Sequence, residues 1–302
     1  IKVKSSKKYA VLTNEYFWIY SISGRKKKGR FLILLTGISY DESSASLYFD
    51  QKVYQFIPKN LEMFLRTLFD IIQRILLPTE LAKLYFKVYK TFIVWPNPLS
   101  ILSRIDQKIQ IQKVKIDESF KNKFLKNLTF SKPILNLNKY PADFIPILCD
   151  SLPLSRTIRE IIISNQGGIN PFLLLSNSMK QPNRIRRIEI KGDLINFSAF
   201  ISSLKSNKSN KLCTLSFDSS KMRESDLQLL IPLYSNKVLK GIEFHNAFSK
   251  SLESSIYSYL SQFQLTILNL DGTKNININK LFPQLPEVLV LSLSNCEINV
   301  LN

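Results

Sequence analysis

Residues that build metal sites, disulfide frameworks and phosphate-binding loops are scarce in this chain. Its 302 residues include one histidine, three cysteines and eight glycines. Such small numbers exclude a Cys/His zinc cluster and a disulfide framework, and unpaired thiols are typical of a reducing compartment. Neither the dinucleotide-binding pattern G-x-G-x-x-G nor the P-loop pattern G-x-x-x-x-G-K-[ST] occurs. We therefore expect no metal, no cofactor and no catalytic residues, and the sequence predicts a protein that is not an enzyme.

Acidic residues are few as well. The chain has 23 Asp and Glu against 42 Lys and Arg, which gives a formal net charge of +19. Because 45% of the residues are hydrophobic, the chain has too much apolar material for a disordered basic tail. The charge predicts an anionic partner, which composition alone leaves open between a membrane, an acidic protein and a nucleic acid. No recognition-helix or base-stacking motif occurs, so we expect no nucleic-acid partner.

A long uncharged apolar run is also missing. The most apolar stretch, residues 61–77, carries a charged residue at every fourth position, which predicts an amphipathic helix and not a membrane span. The first residues have neither an initiator methionine nor an apolar signal sequence, and the last ones directly follow a repeat strand. From these features we expect a chain truncated at both ends.

The first 78 residues have the pattern of a small antiparallel β-barrel followed by a helix. Residues 8–13 and 16–21 are β-branched and aromatic runs around a short turn, and further short strands are predicted at 30–40, 46–50 and 53–57. The run Val11-Leu12-Thr13, the turn and the aromatic run Tyr16-Phe17-Trp18-Ile19-Tyr20 resemble the second and third strands of a pleckstrin-homology domain. The resemblance implies a pleckstrin-homology-like barrel over residues 1–78, with the 61–77 helix at its C-terminal end.

Basic residues concentrate in this region, where the first thirty residues contain nine of them and a single acid, Glu15. Residues 24–29 form a polar, glycine-bounded segment that predicts a loop. In a pleckstrin-homology barrel this loop lies beside the one before Tyr9, so the resemblance implies a site for acidic lipid, at about 1 kcal/mol per Lys or Arg near the surface. A solvated loop and a contact with protein or nucleic acid are the alternatives. The candidate lipid-binding residues are Lys7, Lys8, Arg25, Lys26, Lys27, Lys28 and Arg30.

Residues 79–117 are too hydrophobic for a free linker. Apolar positions at helical spacing predict a helix over 81–94 that ends at Trp95-Pro96, and alternation over 108–116 predicts a strand. We expect a linker with helix and strand that packs against both of its neighbours.

From residue 118 to residue 302 the chain is built from a repeat of about seven units. The template L-x-x-L-x-L recurs, three times in succession at an interval of 27 residues, with helix-like runs between the copies. One strand and one helix per unit is typical of α/β leucine-rich repeats of the ribonuclease-inhibitor type, which predicts a curved parallel sheet with the helices outside. The first aliphatic positions are Leu125, Ile158, Ile185, Leu212, Leu239, Leu265 and Val288.

The polar residues of these strands are expected on the concave face of the repeats. The N-terminal part of this face is rich in arginine, whose planar guanidinium group suits the carboxylates of a protein partner. An ordinary solvated strand face is the alternative. The candidate protein-binding residues are Arg159, Arg186, Arg187, Glu189 and Lys191. We expect Cys296, at the position where such repeats carry Asn or Cys, to be structural and not a reactive thiol.

The order of these parts resembles the CARMIL family of actin capping protein regulators. Residues 124–130 and 142–148 are similar to the first repeat strand of that family and the helix after it, and residues 183–190 resemble its "N-R-L-E-E-L" strand. The resemblance implies a cytoplasmic scaffold, peripheral at the plasma membrane or cytoskeleton, whose barrel binds acidic lipid and whose repeats bind a protein partner such as a cytoskeletal one. It assigns the capping-protein activity to no residue here, and it leaves the oligomeric state open. A soluble leucine-rich-repeat binding or inhibitor module without a membrane role is the alternative.

Overall fold

The chain forms a mixed α/β protein. The computed structural model describes residues 8–13, 16–21, 26–50, 52–87, 100–120, 122, 124, 133–164, 170–207, 211–235, 239–248 and 256–299. Two compact units divide the chain, Ile1–Lys115 and Ile116–Asn302. The described part of the predicted linker, up to residue 115, therefore belongs to the first unit.

The first unit contains two small sheets and three described helices. In an antiparallel sheet of three, β1 (Lys8–Leu12) pairs with β2 (Tyr16–Ser21) and β2 with β3 (Lys26–Phe31). The second sheet is an antiparallel meander of β4 (Gly37–Tyr40), β5 (Ala45–Phe49) and β6 (Lys52–Phe56), to which β7 (Tyr85–Lys87) adds in parallel beside β4. The helices are α1 (Leu61–Ile75), α2 (Pro78–Lys83) and α3 (Ser100–Gln112).

Helix α1 confirms the amphipathic helix predicted from the charge spacing. Its N-terminus is capped by Asn60, whose side chain accepts a hydrogen bond of 2.8 Å from the backbone N–H of Met63. One face of the helix, with Leu68 and Ile72 fully buried, packs into a core that also contains Phe17 of β2 and Leu47 of β5. Burying this stripe is what holds the helix against the small sheets of the first unit.

The second unit is organised around a parallel sheet of seven strands. From one edge to the other they follow chain order apart from the separate short strand β14, and every neighbouring pair is parallel. The strands of this sheet are β8 (Ile134–Asn136), β9 (Glu160–Ser164), β10 (Arg187–Lys191), β11 (Thr214–Asp218), β12 (Gly241–His245), β13 (Ile267–Asn269) and β15 (Val290–Ser292). A separate parallel pair is formed by β14 (Ile276–Asn277) and β16 (Ile298–Asn299).

A helix follows each strand of the sheet up to β13, and successive helices lie next to one another in chain order. In β10 the aliphatic residues Ile188 and Ile190 are buried and the residues between them are partly exposed. Phe172 and Phe200, from two successive helices, have their ring centroids 5.6 Å apart. The helices are α4 (Ile145–Ser151), α5 (Pro171–Met179), α6 (Phe197–Ser206), α7 (Glu224–Ser235), α8 (Ile256–Leu260) and α9 (Ile278–Leu281).

The predicted strand positions of the repeats are confirmed from β9 to β13, and β15 lies at the seventh predicted copy, where Val288 and Leu291 are only partly buried. The aliphatic positions beginning at Ile158, Ile185, Leu212, Leu239 and Leu265 are buried, and each is followed by a strand of the sheet. The predicted first copy at residues 125–130 lies outside the described residues. The first described strand of this sheet, β8, instead places Leu135 in the core, and Leu137 directly after it is buried as well.

Three predictions for the first unit are wrong. Residues 30–40 are not one strand, because a 3₁₀ turn at Leu32–Leu34, with Leu32 fully buried, separates β3 from β4. Residues 26–29 are not a loop, because β3 begins at Lys26 and pairs with β2 in an antiparallel hairpin. The pairing supplies backbone hydrogen bonds that outweigh the weak strand propensity of the lysines. Residues 108–112 are not a strand, because α3 continues to Gln112. Ile101 and Ile105 are buried on this helix at a spacing of four residues, which is the helical period. Their burial favours a helix that continues into residues 108–112, although the apolar residues alternate there.

The helix predicted over residues 81–94 is only partly present. Helix α2 ends at Lys83, and Tyr85–Lys87 then extends as β7 beside β4. The rest of the predicted helix lies outside the described residues.

Candidate functional site

A repeated irregularity at the start of each strand determines which side chains face outward from the parallel sheet. The backbone N–H groups of Arg186 and Arg187 both donate to the carbonyl oxygen of Arg159, at 2.7 and 3.1 Å. Two consecutive donors of one strand thus share one acceptor while the strands keep their one-to-one register, and we call this local irregularity a bulge. The bulge explains the spacing of three in the template, because Ile185 and Ile188 are both buried although plain alternation would expose one of them.

The same pattern of paired donors repeats along the sheet. The acceptor carbonyls are those of Pro133, Arg159, Arg186, Cys213, Lys240 and Thr266. Each bulge therefore places two consecutive residues at the amino end of a strand toward the face opposite the buried aliphatics. We call this side, formed by the residues between the buried aliphatic positions, the polar face.

Arg187 is the centre of an ion-pair network on the polar face. Its guanidinium group lies 2.7 Å from the carboxylate of Glu243, 3.0 Å from that of Glu189 and 3.7 Å from that of Glu160. These carboxylates come from three strands, β12, β10 and β9. The positive charge of Arg187 is thus balanced within the protein.

The network continues toward the carboxyl ends of the strands. Lys191 lies 2.9 Å from a carboxylate oxygen of Asp218 and 3.1 Å from one of Glu189. His245 has its Nε2 3.6 Å from Glu243. The His245 side chain is partly buried, and among the described residues no nucleophile is hydrogen-bonded to it.

The proton affinities of these groups reflect the network. Burial alone would raise the pKa of Glu243, but hydrogen bonds and charge from Arg187 outweigh burial and hold that pKa below its ordinary value. Asp218 likewise keeps a lowered pKa against burial, mainly through Lys191. For Lys191, hydrogen bonds to Asp218 and Glu189 raise the pKa. All three groups are therefore charged at neutral pH.

A second set of basic residues lies apart from this network, just before the amino ends of the strands. Arg159, Arg186 and Lys240 occupy the first bulge position on three strands, and Arg184 and Lys211 match each other in two successive repeats. We call these five residues the basic strip. Among the residues that the structure describes, none of the five has a carboxylate within ion-pair distance.

The basic strip is a region of uncompensated like charge. Burial, together with the neighbouring guanidinium groups of Arg184 and Arg186, lowers the pKa of Arg159. Within the described part of the chain, the Arg159 guanidinium group donates to a backbone carbonyl, that of Ile158, at 3.3 Å. The predicted protein-binding residues thus fall into two groups, with Arg187, Glu189 and Lys191 in the ion-pair network and Arg159 and Arg186 in the basic strip. Sequence reasoning missed Arg184, whose signal is its position directly before a buried aliphatic residue.

Hydroxyl and thiol groups connect successive repeats at the position where Asn or Cys was expected. The thiol of Cys296 donates to the carbonyl of Leu270 at 3.1 Å, which fits the structural role predicted for it. The hydroxyl of Ser220 donates to Ile190 at 3.3 Å. The shorter side chain of Ser220 thus makes the same kind of link to the preceding repeat as Cys296 does. Sequence reasoning missed this role of Ser220.

The candidate lipid-binding residues are only partly within the described structure. Lys7 and Arg25 lie outside the described residues. The backbone of β1 and β3 places Lys8 opposite Ser21, and Lys26 opposite Tyr20 next to it, so Lys8 and Lys26 lie at the same end of the three-stranded sheet. Lys27 and Lys28 follow in β3, and Arg30 is partly exposed opposite Phe17.

Among the described residues, no three His, Cys, Asp or Glu side chains come together as a group that could hold a metal ion. In the same part of the chain, no helix combines the length and the apolar composition needed to cross a bilayer. Neither a protein-family model nor a curated protein sequence matches this chain.

Proposed function

We propose that this chain is a non-enzymatic scaffold, similar to the CARMIL family, that connects an acidic membrane surface with a protein partner. In this proposal the parallel sheet is a leucine-rich-repeat solenoid of the ribonuclease-inhibitor type, and its polar face binds the partner. The residues of β1 and β3 in a pleckstrin-homology-like first unit bind acidic lipid. The observation that carries the proposal is the regular alternation of bulged parallel strand and helix, which presents one continuous polar face.

The polar face supports a binding role because its chemistry is suited to contact and not to turnover. It carries charged side chains from several strands, and its acids at the centre are held by Arg187 at hydrogen-bonding distance. Repeat folds of this kind use such extended faces for protein recognition. Covalent catalysis would need a side-chain nucleophile with a hydrogen-bonded base, which the described residues of this face do not present.

The lipid part of the proposal depends on the lysines of β3. Three consecutive lysines begin this strand, and Lys8 joins them at the same end of the sheet. An acidic leaflet attracts such residues by about 1 kcal/mol each, so four of them supply roughly 4 kcal/mol before losses of entropy. That energy supports reversible peripheral binding.

Vesicle co-sedimentation tests the lipid part. The wild-type chain is expected to sediment with phosphatidylcholine vesicles that contain phosphatidylserine and to stay in solution with phosphatidylcholine alone. The triple variant Lys26→Glu, Lys27→Glu, Lys28→Glu is expected to lose sedimentation. The matched control Lys139→Glu, Lys180→Glu, Lys205→Glu changes the net charge equally at exposed sites of the second unit, and it is expected to sediment like the wild type.

The alternative is a soluble leucine-rich-repeat binding module without a membrane role. It is favoured by the position of Lys26–Phe31 as an edge strand of the three-stranded sheet. Lysines on an edge strand prevent edge-to-edge aggregation, which gives them a structural purpose. If the wild type stays in solution with the acidic vesicles, as the β3 variant is expected to do, this alternative holds. If both proteins sediment equally, the lysines of β3 are not the lipid-binding residues.

A further inference from the structure

The basic strip follows the amino ends of four neighbouring strands. Arg159, Arg186 and Lys240 occupy equivalent positions before β9, β10 and β12, and Arg184 and Lys211 lie two residues earlier than the bulge positions before β10 and β11. Neighbouring strands are about 4.8 Å apart, so the strip extends over about 14 Å from Arg159 to Lys240. Arg184, Arg186, Lys211 and Lys240 are exposed, and Arg159 is partly exposed.

The strip is narrow because acids limit it on one side. Glu189 follows Arg186 by three residues, and Glu243 follows Lys240 by three. At about 3.3 Å per residue these carboxylates lie within about 10 Å of the strip. Both hold Arg187, so their side chains are turned toward the network. An anion that covered a wide area of the polar face would therefore also approach like charge.

We propose that an extended acidic segment of a partner protein lies across the amino ends of β9 to β12, with its carboxylates on Arg159, Arg184, Arg186, Lys211 and Lys240. This inference deepens the proposed function and rests on it, since it names the chemistry of the partner that the polar face binds. Arginine offers a fork of donors that matches a carboxylate in two parallel hydrogen bonds. A single extended chain is narrow enough to contact the strip without covering the acids beside it.

Other polyanions fit the same surface less well. Proteins that hold single-stranded nucleic acid place aromatic rings against the bases, and the described positions of the polar face carry no Phe, Tyr or Trp. A duplex is wider than the strip and would bring phosphates against Glu189 and Glu243. A lipid leaflet is flat and would meet the same two acids.

Fluorescence anisotropy with the whole chain tests the inference. The probes are labelled peptides of alternating Glu and Ser, alternating Gln and Ser, and alternating Lys and Ser. Only the Glu peptide is expected to bind. The variant Arg159→Gln, Arg184→Gln, Arg186→Gln is expected to weaken that binding at least about tenfold, since it removes three charge-assisted contacts.

Two matched variants control for net charge. Lys139→Gln, Lys180→Gln, Lys205→Gln removes the same charge from exposed sites elsewhere in the second unit, and Lys26→Gln, Lys27→Gln, Lys28→Gln removes it from β3. Both are expected to bind the Glu peptide within about twofold of the wild type, because they leave the strip intact. Far-UV circular dichroism verifies that each variant is folded. If a variant does not fold, the comparison of the three peptides on the wild type still tests the inference.

Four outcomes would overturn the inference: equal binding of the Gln and Glu peptides, equal loss in a control variant, loss only in the β3 variant, or single-stranded RNA that binds through the same three arginines more tightly than the Glu peptide. Vesicle sedimentation of the same proteins separates the two proposals. If the wild type sediments with the acidic vesicles but does not bind the Glu peptide, this inference alone fails. If the wild type binds the Glu peptide but does not sediment, the lipid part of the proposed function alone fails.

Discussion

Arg187 of β10 reaches Glu243 of β12 across the whole width of the strand between them, with 2.7 Å between Nη2 and Oε2. Two strand spacings are about 9.6 Å, which a fully extended arginine can cross only over small residues. The intervening strand β11 provides Thr214 and Ser216, both buried, and β12 has Gly241 at the register position of Arg187. The small residues of β11 and β12 thus allow the long ion pair, and they are buried beneath it.

Removing Arg187 is expected to reverse the response of the second unit to acid. In the wild type the folded pKa of Glu243 lies below its ordinary value of 4.5, so its contribution is complete above that value and is lost as pH falls through the folded pKa. Arg187→Gln leaves Glu160, Glu189 and Glu243 without their common cation, and it removes the interaction that holds the pKa of Glu243 down. The variant is expected to lose about 2 kcal/mol at pH 7 and to regain part of it toward pH 5.

Hydrogen exchange of the amides in β10 to β12, corrected for the intrinsic effect of pH, measures these free energies. Arg186→Gln is the matched control, because Arg186 is exposed and has no carboxylate at ion-pair distance among the described residues. It is expected to change stability by less than about 0.5 kcal/mol. Two results would contradict the ion-pair network. One is a similar loss of stability in both variants, and the other is a loss of stability in Arg187→Gln that grows as the pH is lowered.

The repeat strands could be predicted because burial constrains each one in the same way. Ile161, Ile188 and Ile242 are all buried at the same register position, so the aliphatic spacing survives in the sequence although the rest of each unit varies. Helix α3 could not be predicted, because its isoleucines fit two periods and the choice depends on what they pack against. Similarly, β3 depends on its pairing with β2, which local propensity does not encode.

The candidate site could be predicted only as a set of outward residues. Arg186 and Arg187 are adjacent and chemically identical, and the bulge turns both toward the polar face. Their different roles depend on Glu243, which lies 56 residues from Arg187 in the chain. Such a pairing follows from strand register and the size of residues in between, and neither is visible from composition or spacing.

Removing the charge of Glu80 is expected to destabilise the first unit strongly. The fully buried Arg104 donates to both carboxylate oxygens of Glu80, at 2.7 and 3.0 Å, and to the carbonyl of Ile75 at the C-terminus of α1. Glu80→Gln keeps an acceptor but replaces the carboxylate at the buried guanidinium with a neutral amide, at a cost of about 3 kcal/mol. Urea unfolding followed by tryptophan fluorescence measures this cost, since Trp18 lies in β2 of the first unit.

Glu62→Gln is the control for that experiment. Glu62 pairs with Arg66 at 3.9 Å, with both side chains more than 70% exposed. An exposed pair of this kind contributes at most about 0.5 kcal/mol. If Glu80→Gln cost no more than Glu62→Gln, the buried pair would not hold α3 against the end of α1.

A side chain at position 29 is expected to displace the indole of Trp18. A Cβ atom on Gly29 would lie 2.0 Å from the Trp18 ring, which stacks on Tyr16 at 4.6 Å between centroids. Gly29→Ala is therefore expected to cost about 1–3 kcal/mol and to shift the tryptophan emission. In a Trp18→Ala background the same substitution is expected to cost little, because the clash is gone. Hydrogen exchange in β2 measures all four proteins, and an equal cost in both backgrounds would contradict the contact.

The three cysteines are expected to react with a thiol reagent in a fixed order. Burial, with a smaller effect of Asp150, raises the pKa of Cys149 to about 12, so at pH 8 only about one molecule in ten thousand carries its thiolate, the reactive form. Cys213 is exposed, and Cys296 is partly exposed with its thiol donating to Leu270. A disulfide reagent at pH 8 is expected to show one fast thiol, one slower thiol and a third only after unfolding. Cys213→Ser should remove the fast phase, whereas a fast phase that persists would mean that the repeats open enough to expose Cys149 or Cys296.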